Sequence, residues 1–240
     1  MKFCIVHFNT PVLTKCLLAS IRRNHPNDDI IIFDNSDKCP LGPNRLVNEC
    51  YDNTKGSIIN FKKELARFPN RDIDTQTKVG VNFGSAKHAM SIEWLCNNVG
   101  SDFILLDSDV LLKRPIDFID TKYACICEIY KNVDGSKLRC SPMLCYLNVP
   151  KLNKLGISYF DPNRMLGLNK YNSESMKYDT GSSLYEDLFG KSLIKQIIMN
   201  DYIEHYGNGS WTLPTRRGIT HTTLSPTEWL FVNKHYFMDD

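Results

Sequence analysis

Short apolar runs alternating with amphipathic stretches organise the first half of the chain. Lys2–Phe8 (KFCIVHF) is β-branched and aromatic and predicts a buried strand. Thr10 then Pro11 predict a helix start, with the threonine hydroxyl as N-cap and proline at the first helical position. Leu13, Leu17, Leu18 and Ile21 give that helix one apolar face, and Asn24-His25-Pro26-Asn27 ends it. Asp29–Phe33 (DIIIF) is a second buried strand, closing on Asp34-Asn35-Ser36-Asp37. Strand, helix and strand in that order imply a parallel pair with a right-handed crossover.

Residues 38–56 read as loop, Ser57–Phe61 (SIINF) as a third strand and 69–82 as irregular. A helix is expected from about Asn82 to Asn97, with Ala86, Met90, Trp94 and Leu95 on overlapping turns. Asp102–Leu106 (DFILL) is another buried strand and runs directly into Asp107-Ser108-Asp109. This alternation predicts an open α/β sheet. In the second half, Tyr123–Tyr130 and Leu138–Leu147 predict strands, as an antiparallel pair. Ser182–Phe189 and Ser192–Tyr206 predict helices, Gly218–Thr222 predicts a short strand, and Pro226–Tyr236 fits neither period.

At 240 residues, with 42% hydrophobic and 23% charged residues, the chain fits one domain with one continuous core rather than a disordered or fibrous protein. There is no internal repeat and no clear linker. The formal charge of +2 gives no reason to expect a nucleic-acid partner held by bulk charge. No apolar run approaches the ~18–20 residues of a membrane span, and Phe3–Phe8 is too short for a signal segment. The nine cysteines are odd in number, form no C-x-x-C pair and sit partly in apolar stretches. They are expected to be reduced thiols of a cytoplasmic protein, and Asn208-Gly209-Ser210 is then a chance match to a glycosylation acceptor.

Asp107-Ser108-Asp109 is the most informative feature. Among 19 aspartates a D-x-D arises by chance, as Asp72-Ile73-Asp74 illustrates. Asp107 and Asp109 differ by following an apolar strand directly, at its carboxyl edge. Two carboxylates there repel unless a cation or donors compensate, and hard ions such as Mn²⁺ or Mg²⁺ favour oxygen ligands and bridge to diphosphates. The alternative is a surface turn whose aspartates cap backbone amides.

With KFCIVHFNT, IIIFDNSD, VNFGSAKHA and FILLDSDVLL in view, residues 1–112 resemble nucleotide-sugar-dependent glycosyltransferases of the GT-A fold, particularly the family-2-like bacterial ones. The resemblance implies a single Rossmann-like domain over 1–240: a central, mostly parallel sheet flanked by helices, with a smaller antiparallel sheet on the acceptor side. Residues 1–112 would bind the nucleotide sugar and 113–240 the acceptor. It implies that Phe8, Asn9 and Thr10 lie near the nucleobase and that Asp34 contacts base or ribose with Ser36 close by. Asn82, Gly84 and Lys87 would border ribose and diphosphate. Asp107, Ser108 and Asp109 would hold ribose and metal. His88 and Met90 depart from the family-2 pattern, where small or polar residues are expected.

Such an enzyme moves a sugar from a nucleoside diphosphate, here UDP, to a hydroxyl of a glycan or lipid-linked acceptor. It works at the cytoplasmic face, with peripheral membrane contact. Inversion needs a carboxylate to take the acceptor proton, while metal and donors stabilise the leaving diphosphate. Asp179 in Tyr178-Asp179-Thr180-Gly181 is the candidate base, and Gly181 keeps its neighbourhood uncrowded. The bland reading makes Asp179 or Thr180 an N-cap. Asp187 of Glu186-Asp187 is the competing base, although it falls mid-helix. His221 is the candidate third metal ligand, or else a packed strand histidine. Tyr159, Tyr171, Trp211 and Trp229 are either sugar-stacking or core residues. Lys191, Lys195, Arg216 and Arg217 are either an anion-attracting group or a solvated face. A phosphatase using Asp107 is the rival chemistry, although Leu111 stands where it needs Thr or Val. A nucleotidyltransferase would need glycines that Phe8-Asn9-Thr10-Pro11 lacks. A non-catalytic nucleotide-sugar-binding protein remains open at this stage.

Overall fold

The computed structural model describes residues 1–66, 83–131, 137–166, 178–207 and 224–238. In chain order its elements are β1 (Lys2–His7), α1 (Pro11–Asn24), β2 (Asp29–Asp34), β3 (Glu49–Asp52), α2 (Phe61–Ala66), α3 (Phe83–Val99), β4 (Phe103–Asp107) and β5 (Val110–Leu112). They continue as β6 (Cys125–Lys131), β7 (Leu138–Leu147), α4 (Val149–Lys154), α5 (Pro162–Met165), α6 (Ser182–Leu188), β8 (Ile194–Gln196), β9 (Ile203–His205) and α7 (Pro226–Val232). Seven strands form one sheet in the order β3-β2-β1-β4-β7-β6-β8, and β5 pairs with β9 in a second, small sheet. β1, β2, β3 and β4 are parallel, β7 runs antiparallel to both β4 and β6, and β8 is parallel to β6. The small antiparallel sheet is therefore β5–β9, while the β6–β7 pair extends the main sheet.

Alternation along the strands explains the layers, because successive side chains face opposite sides. Phe3 and Ile5 of β1 pack with Leu17, Leu18 and Ile21 of α1. Cys4 and Val6 pack on the other face with Ala89, Ile92 and Leu95 of α3. In β4, Ile104 and Leu106 face the α1 side, while Phe103 and Leu105 face the α3 side. Both faces are covered, which is why these strands read as continuous apolar runs. The next residue with the parity of Phe103 and Leu105 is Asp107, so the end of β4 aims its carboxylate towards the α3 side of the rim. Among the described residues no helix is long and apolar enough to cross a membrane.

Three local expectations are corrected. Ser57–Phe61 is not a strand: residues 57–60 are irregular and α2 begins at Phe61. Asn53 Oδ1 accepts the amides of Ile58 (3.0 Å) and Ile59 (2.8 Å), replacing a strand ladder with a side-chain clamp. The third parallel strand is instead the polar, largely exposed Glu49–Asp52 edge, whose apolar signal is too weak to read. Ser192–Tyr206 is not a helix, because its isoleucines find partners in β6 and β5 and form β8 and β9 around a 3₁₀ turn at Met199–Asp201. Thr10 stands at the N-cap position of α1, but its hydroxyl makes no cap bond. It meets Ser108 Oγ at 2.9 Å instead. Pro226–Tyr236 resolves as α7, opened by a reciprocal Ser225–Glu228 capping box, and a following 3₁₀ turn. Gly218–Thr222 lies outside the described residues.

Candidate active site at the carboxyl rim

The carboxyl ends of β1, β2 and β4 meet at one rim. Thr10 and Thr14, a turn apart on α1, clamp the turn that carries the acidic pair: Thr10 Oγ1 meets Ser108 Oγ at 2.9 Å and Thr14 Oγ1 donates to the Ser108 carbonyl at 3.3 Å. His7 is fully buried behind them, with Nδ1 2.8 Å from Thr14 Oγ1 and Nε2 3.3 Å from the Cys39 carbonyl. Burial holds the His7 imidazole below its usual titration range, against the opposing pull of Asp34. Ser108 thus has a structural task, fixing the two flanking carboxylates.

Asp107 and Asp109 each face a histidine. His88 Nε2 of α3 lies 3.5 Å from Asp107 Oδ1, and His205 Nε2 of β9 lies 3.4 Å from Asp109 Oδ1. The second contact follows from topology, since β9 pairs Val110 with His205 and the Tyr206 amide donates to the Asp109 carbonyl at 3.0 Å. Burial raises the Asp107 carboxyl above its ordinary value and Asp109 adds to that, while His88, His205 and Arg139 oppose it. Burial opposes charging of His205, but the hydrogen bond and charge of Asp109 override it and hold the imidazole above its ordinary value. Asp107 Oδ1 is buried with no hydrogen-bond partner, its ion-pair contact being His88 Nε2 at 3.5 Å. A buried carboxylate oxygen in that state is costly unless something positive meets it. Carboxylate and imidazole donors suit Mn²⁺ or Mg²⁺. Among the described residues these groups form two facing pairs, not three donors around one point.

Asp179 reaches this side of the molecule through one glycine. Gly181 has φ +87°, and a Cβ there would sit 2.0 Å from the Cys140 carbonyl oxygen, so only glycine lets the chain approach β7 this closely. Gly181 and not Asp179 or Thr180 holds the N-cap position of α6. The Asp179 carboxylate accepts from the Ser85 hydroxyl on α3, from the Thr180 amide at 2.7 Å and from Arg139 at 2.6 Å. Arg139 is nearly buried, and its charge also lowers the Asp107 carboxyl and the His205 imidazole. Asp187 is held by Arg164 at 2.5 Å, and Glu186 by Lys137 at 2.7 Å and by the Tyr178 hydroxyl at 2.7 Å.

On the nucleotide side, Asn9 adopts φ +56°, a conformation short polar side chains tolerate. Its Oδ1 accepts the amides of Lys38 (3.0 Å) and Cys39 (2.9 Å), and its own amide donates to Ser36 Oγ at 2.9 Å. Asp34 is buried, with Oδ1 on the Ser36 amide (3.0 Å) and Oδ2 on the Leu41 amide (2.8 Å). Phe8 is half-buried, Gly84 is exposed on the first turn of α3, and the Lys87 ammonium lies 6.0 Å from the Phe61 ring. Tyr159 and Trp229 are core residues. Lys191 donates to the Asp187 carbonyl and Lys195 to the Phe118 carbonyl at 3.4 Å. Asn82, Tyr171, Trp211, Arg216, Arg217 and His221 lie outside the described residues.

Sequence reading missed His205 and Arg139. His205 carries a faint signal: Ile203 buried, Glu204 and His205 only half-buried, the start of a two-residue alternation inside a stretch whose isoleucines also fit a helix. Arg139 carries none, because only the pairing of β7 with its neighbours turns it towards Asp179.

No protein-family model and no curated protein matches the chain. Solved structures do. The glycosyltransferase GlyE of Streptococcus pneumoniae TIGR4 aligns with TM-score 0.52 at 11% identity, over 99% of this chain and 61% of that one. The galactosyltransferase LgtC, solved in complex with donor and acceptor sugar analogs, aligns with TM-score 0.47 at 11% identity, over 83% of this chain and 74% of that one. The GlyE alignment shows a shared fold, and this chain spans about three-fifths of that protein's length.

Proposed function

We propose that this protein is a glycosyltransferase that binds a nucleoside diphosphate sugar, with UDP as the nucleotide, together with Mn²⁺ or Mg²⁺. The observation that carries the reading is the buried, unbonded Asp107 oxygen beside Asp109 at the carboxyl rim, with His88 and His205 facing the pair. Asp107 and Asp109 would hold the ion, and a histidine would complete its protein ligands. His221, expected from sequence, and His205, beside Asp109, are the two candidates. When bound, the ion neutralises charge on the departing diphosphate.

The chain's own groups do the remaining work. Thr10, Thr14 and Ser108 keep the acidic turn from rearranging. Arg139 and the Ser85 hydroxyl hold the Asp179 carboxylate in one orientation, where it would take the proton of an attacking acceptor hydroxyl. Transfer proceeds with inversion and Asp179 as base. Asp187 of α6, paired with Arg164, is the alternative base. The acceptor is a glycan or lipid-linked saccharide on the side of residues 113–240, and the enzyme works at the cytoplasmic face. The family-2-like affinity rests on the sequence motifs of residues 1–112.

The test is calorimetric titration with UDP, with and without Mn²⁺, followed by a donor screen that reads released nucleotide. Binding that requires the metal, and nucleotide release from one sugar donor, support the reading. Metal-independent turnover of p-nitrophenyl phosphate, or no UDP binding with Mn²⁺ present, overturns it. Comparing His205→Ala with His221→Ala then identifies the third ligand by which variant loses Mn²⁺ affinity.

A further inference from the structure

Four of the nine cysteines meet on one face of the main sheet, away from the acidic pair in sequence and built on different strands. Cys125 and Cys127 stand two apart on β6 and so share a face, and Cys127 pairs directly with Cys145 on β7. Their three sulfur atoms all lie within 4.8 Å of one another, with Cys125 Sγ 3.4 Å from Cys145 Sγ and 3.6 Å from Cys127 Sγ. Cys140 pairs with Ile129 beside the register shift that follows Cys127 and packs in the same buried cluster. All four are fully buried. The separations are well beyond a disulfide bond and close to the ~3.8 Å edge of a tetrahedron built on metal–sulfur bonds of ~2.3 Å.

A second observation points the same way. Tyr159 packs on this same face, is 1% exposed, and its hydroxyl has no hydrogen-bond partner. Burial raises the Tyr159 phenol well above its ordinary value, and the thiols of Cys145, Cys140 and Cys125 act on it in the same direction, as does Asp107. A buried phenol without an acceptor is costly, and neutral thiols are weak acceptors. A thiolate is a strong one.

We propose that Cys125, Cys127 and Cys145 bind a thiophilic d¹⁰ cation such as Zn²⁺, with Cys140 as the fourth sulfur and the Tyr159 hydroxyl donating to a bound thiolate. Each sulfur–metal bond forms as its thiol releases a proton to solvent, and no oxidant or reductant is involved. The centre is structural, fastening β6 to β7. Cys140 is the residue whose carbonyl Gly181 approaches, and it follows Arg139, so the centre anchors the strand on which Asp179 is positioned.

The test uses the full chain, purified without chelator, dialysed against Zn²⁺ and analysed by elemental mass spectrometry. The Asp107→Asn/Asp109→Asn double variant separates this centre from the acidic rim. About one zinc per chain is expected. It persists in the double variant and is lost in Cys127→Ser, and Co²⁺ exchange produces an intense sulfur-to-cobalt charge-transfer band. Tyr159→Phe keeps the metal and weakens it by roughly 10–100-fold against a chromophoric chelator. If Cys127→Ser does not fold, the unsubstituted chain decides alone. Cobalt bound without the sulfur band, no uptake of either metal, zinc that leaves with the acidic pair, or fewer than nine free thiols in denaturant each overturns the proposal.

Discussion

Two aspartates end the two parallel strands that flank β1, in nearly the same sequence setting, and they have opposite fates. Asp34 closes IIIFD and Asp107 closes FILLD. At Asp34 the chain folds back, so both carboxylate oxygens are taken by the amides of Ser36 and Leu41. At Asp107 the turn is two residues long and leads straight into β5, so no returning amide reaches Oδ1. The rim near β2 spends its polar groups on its own loop, with Asn9 and Asp34 holding residues 36–41. The rim near β4 instead sets Asp107 and Asp109 against His88 and His205. The contrast separates a carboxylate that builds a loop from one whose Oδ1 no backbone amide meets.

The sharpest way to break that contrast is to remove one carboxylate from each rim. Asp109→Ala should weaken Mn²⁺-dependent UDP binding by more than about 100-fold with little change in melting temperature, since relieving carboxylate repulsion offsets lost contacts. Asp34→Ala should show the reverse. Two stranded amides cost roughly 2–4 kcal/mol in chemical denaturation, while the folded variant keeps a metal-dependent signal. If both variants lose binding equally, the two rims do not differ as described.

Asp179→Asn should leave UDP binding within about twofold and lower kcat by roughly 10²–10⁴, read by nucleotide release. Near-normal kcat removes Asp179 as the base. Gly181→Ala asks whether the approach to β7 is as tight as it looks. With a Cβ driven against the Cys140 carbonyl and φ at +87°, a destabilisation of roughly 3–5 kcal/mol is expected. A change under 1 kcal/mol (about the scatter of surface substitutions) would show that the contact relaxes freely.

The smallest effect concerns Glu186, a carboxylate on α6 held by the side chains of Lys137 and Tyr178. Burial works against its charge, but Lys137 and the Tyr178 hydroxyl prevail and hold it below its ordinary value of 4.5. A carboxyl depressed in the folded state stabilises above that value and loses the contribution as pH falls through the folded titration. Because the pair is substantially exposed, Glu186→Gln should cost only about 0.5 kcal/mol at neutral pH and nothing once the carboxyl is protonated. A difference that grows on acidification would contradict this ion pair.

Much of the first half was legible because its strands are buried on both faces and announce themselves as unbroken apolar runs, and because Leu13, Leu17, Leu18 and Ile21 mark a helix face without ambiguity. The acidic pair was legible for the same reason, standing directly after such a run. The exposed edge strand Glu49–Asp52 was not, since it has no apolar face to reveal it. Nor were β8 and β9, where isoleucine fits either period and only pairing with β6 and β5 decides. Thr10 illustrates the limit at single-residue scale. Its type and position predict a helix cap, yet a serine 98 positions away claims its hydroxyl.

By itself, then, the order of residues determined the α/β alternation, the parallel first half, and the placement of Asp107 and Asp109 at a strand end. Those follow from local periodicity and from the short range of backbone geometry. Which histidine faces which aspartate, that Arg139 bridges to Asp179, that Asp34 is sealed by its own loop and that four cysteines share one face were decided by tertiary structure. Each of these depends on distances between residues far apart in the chain, and such distances exist only once the strands have chosen their neighbours.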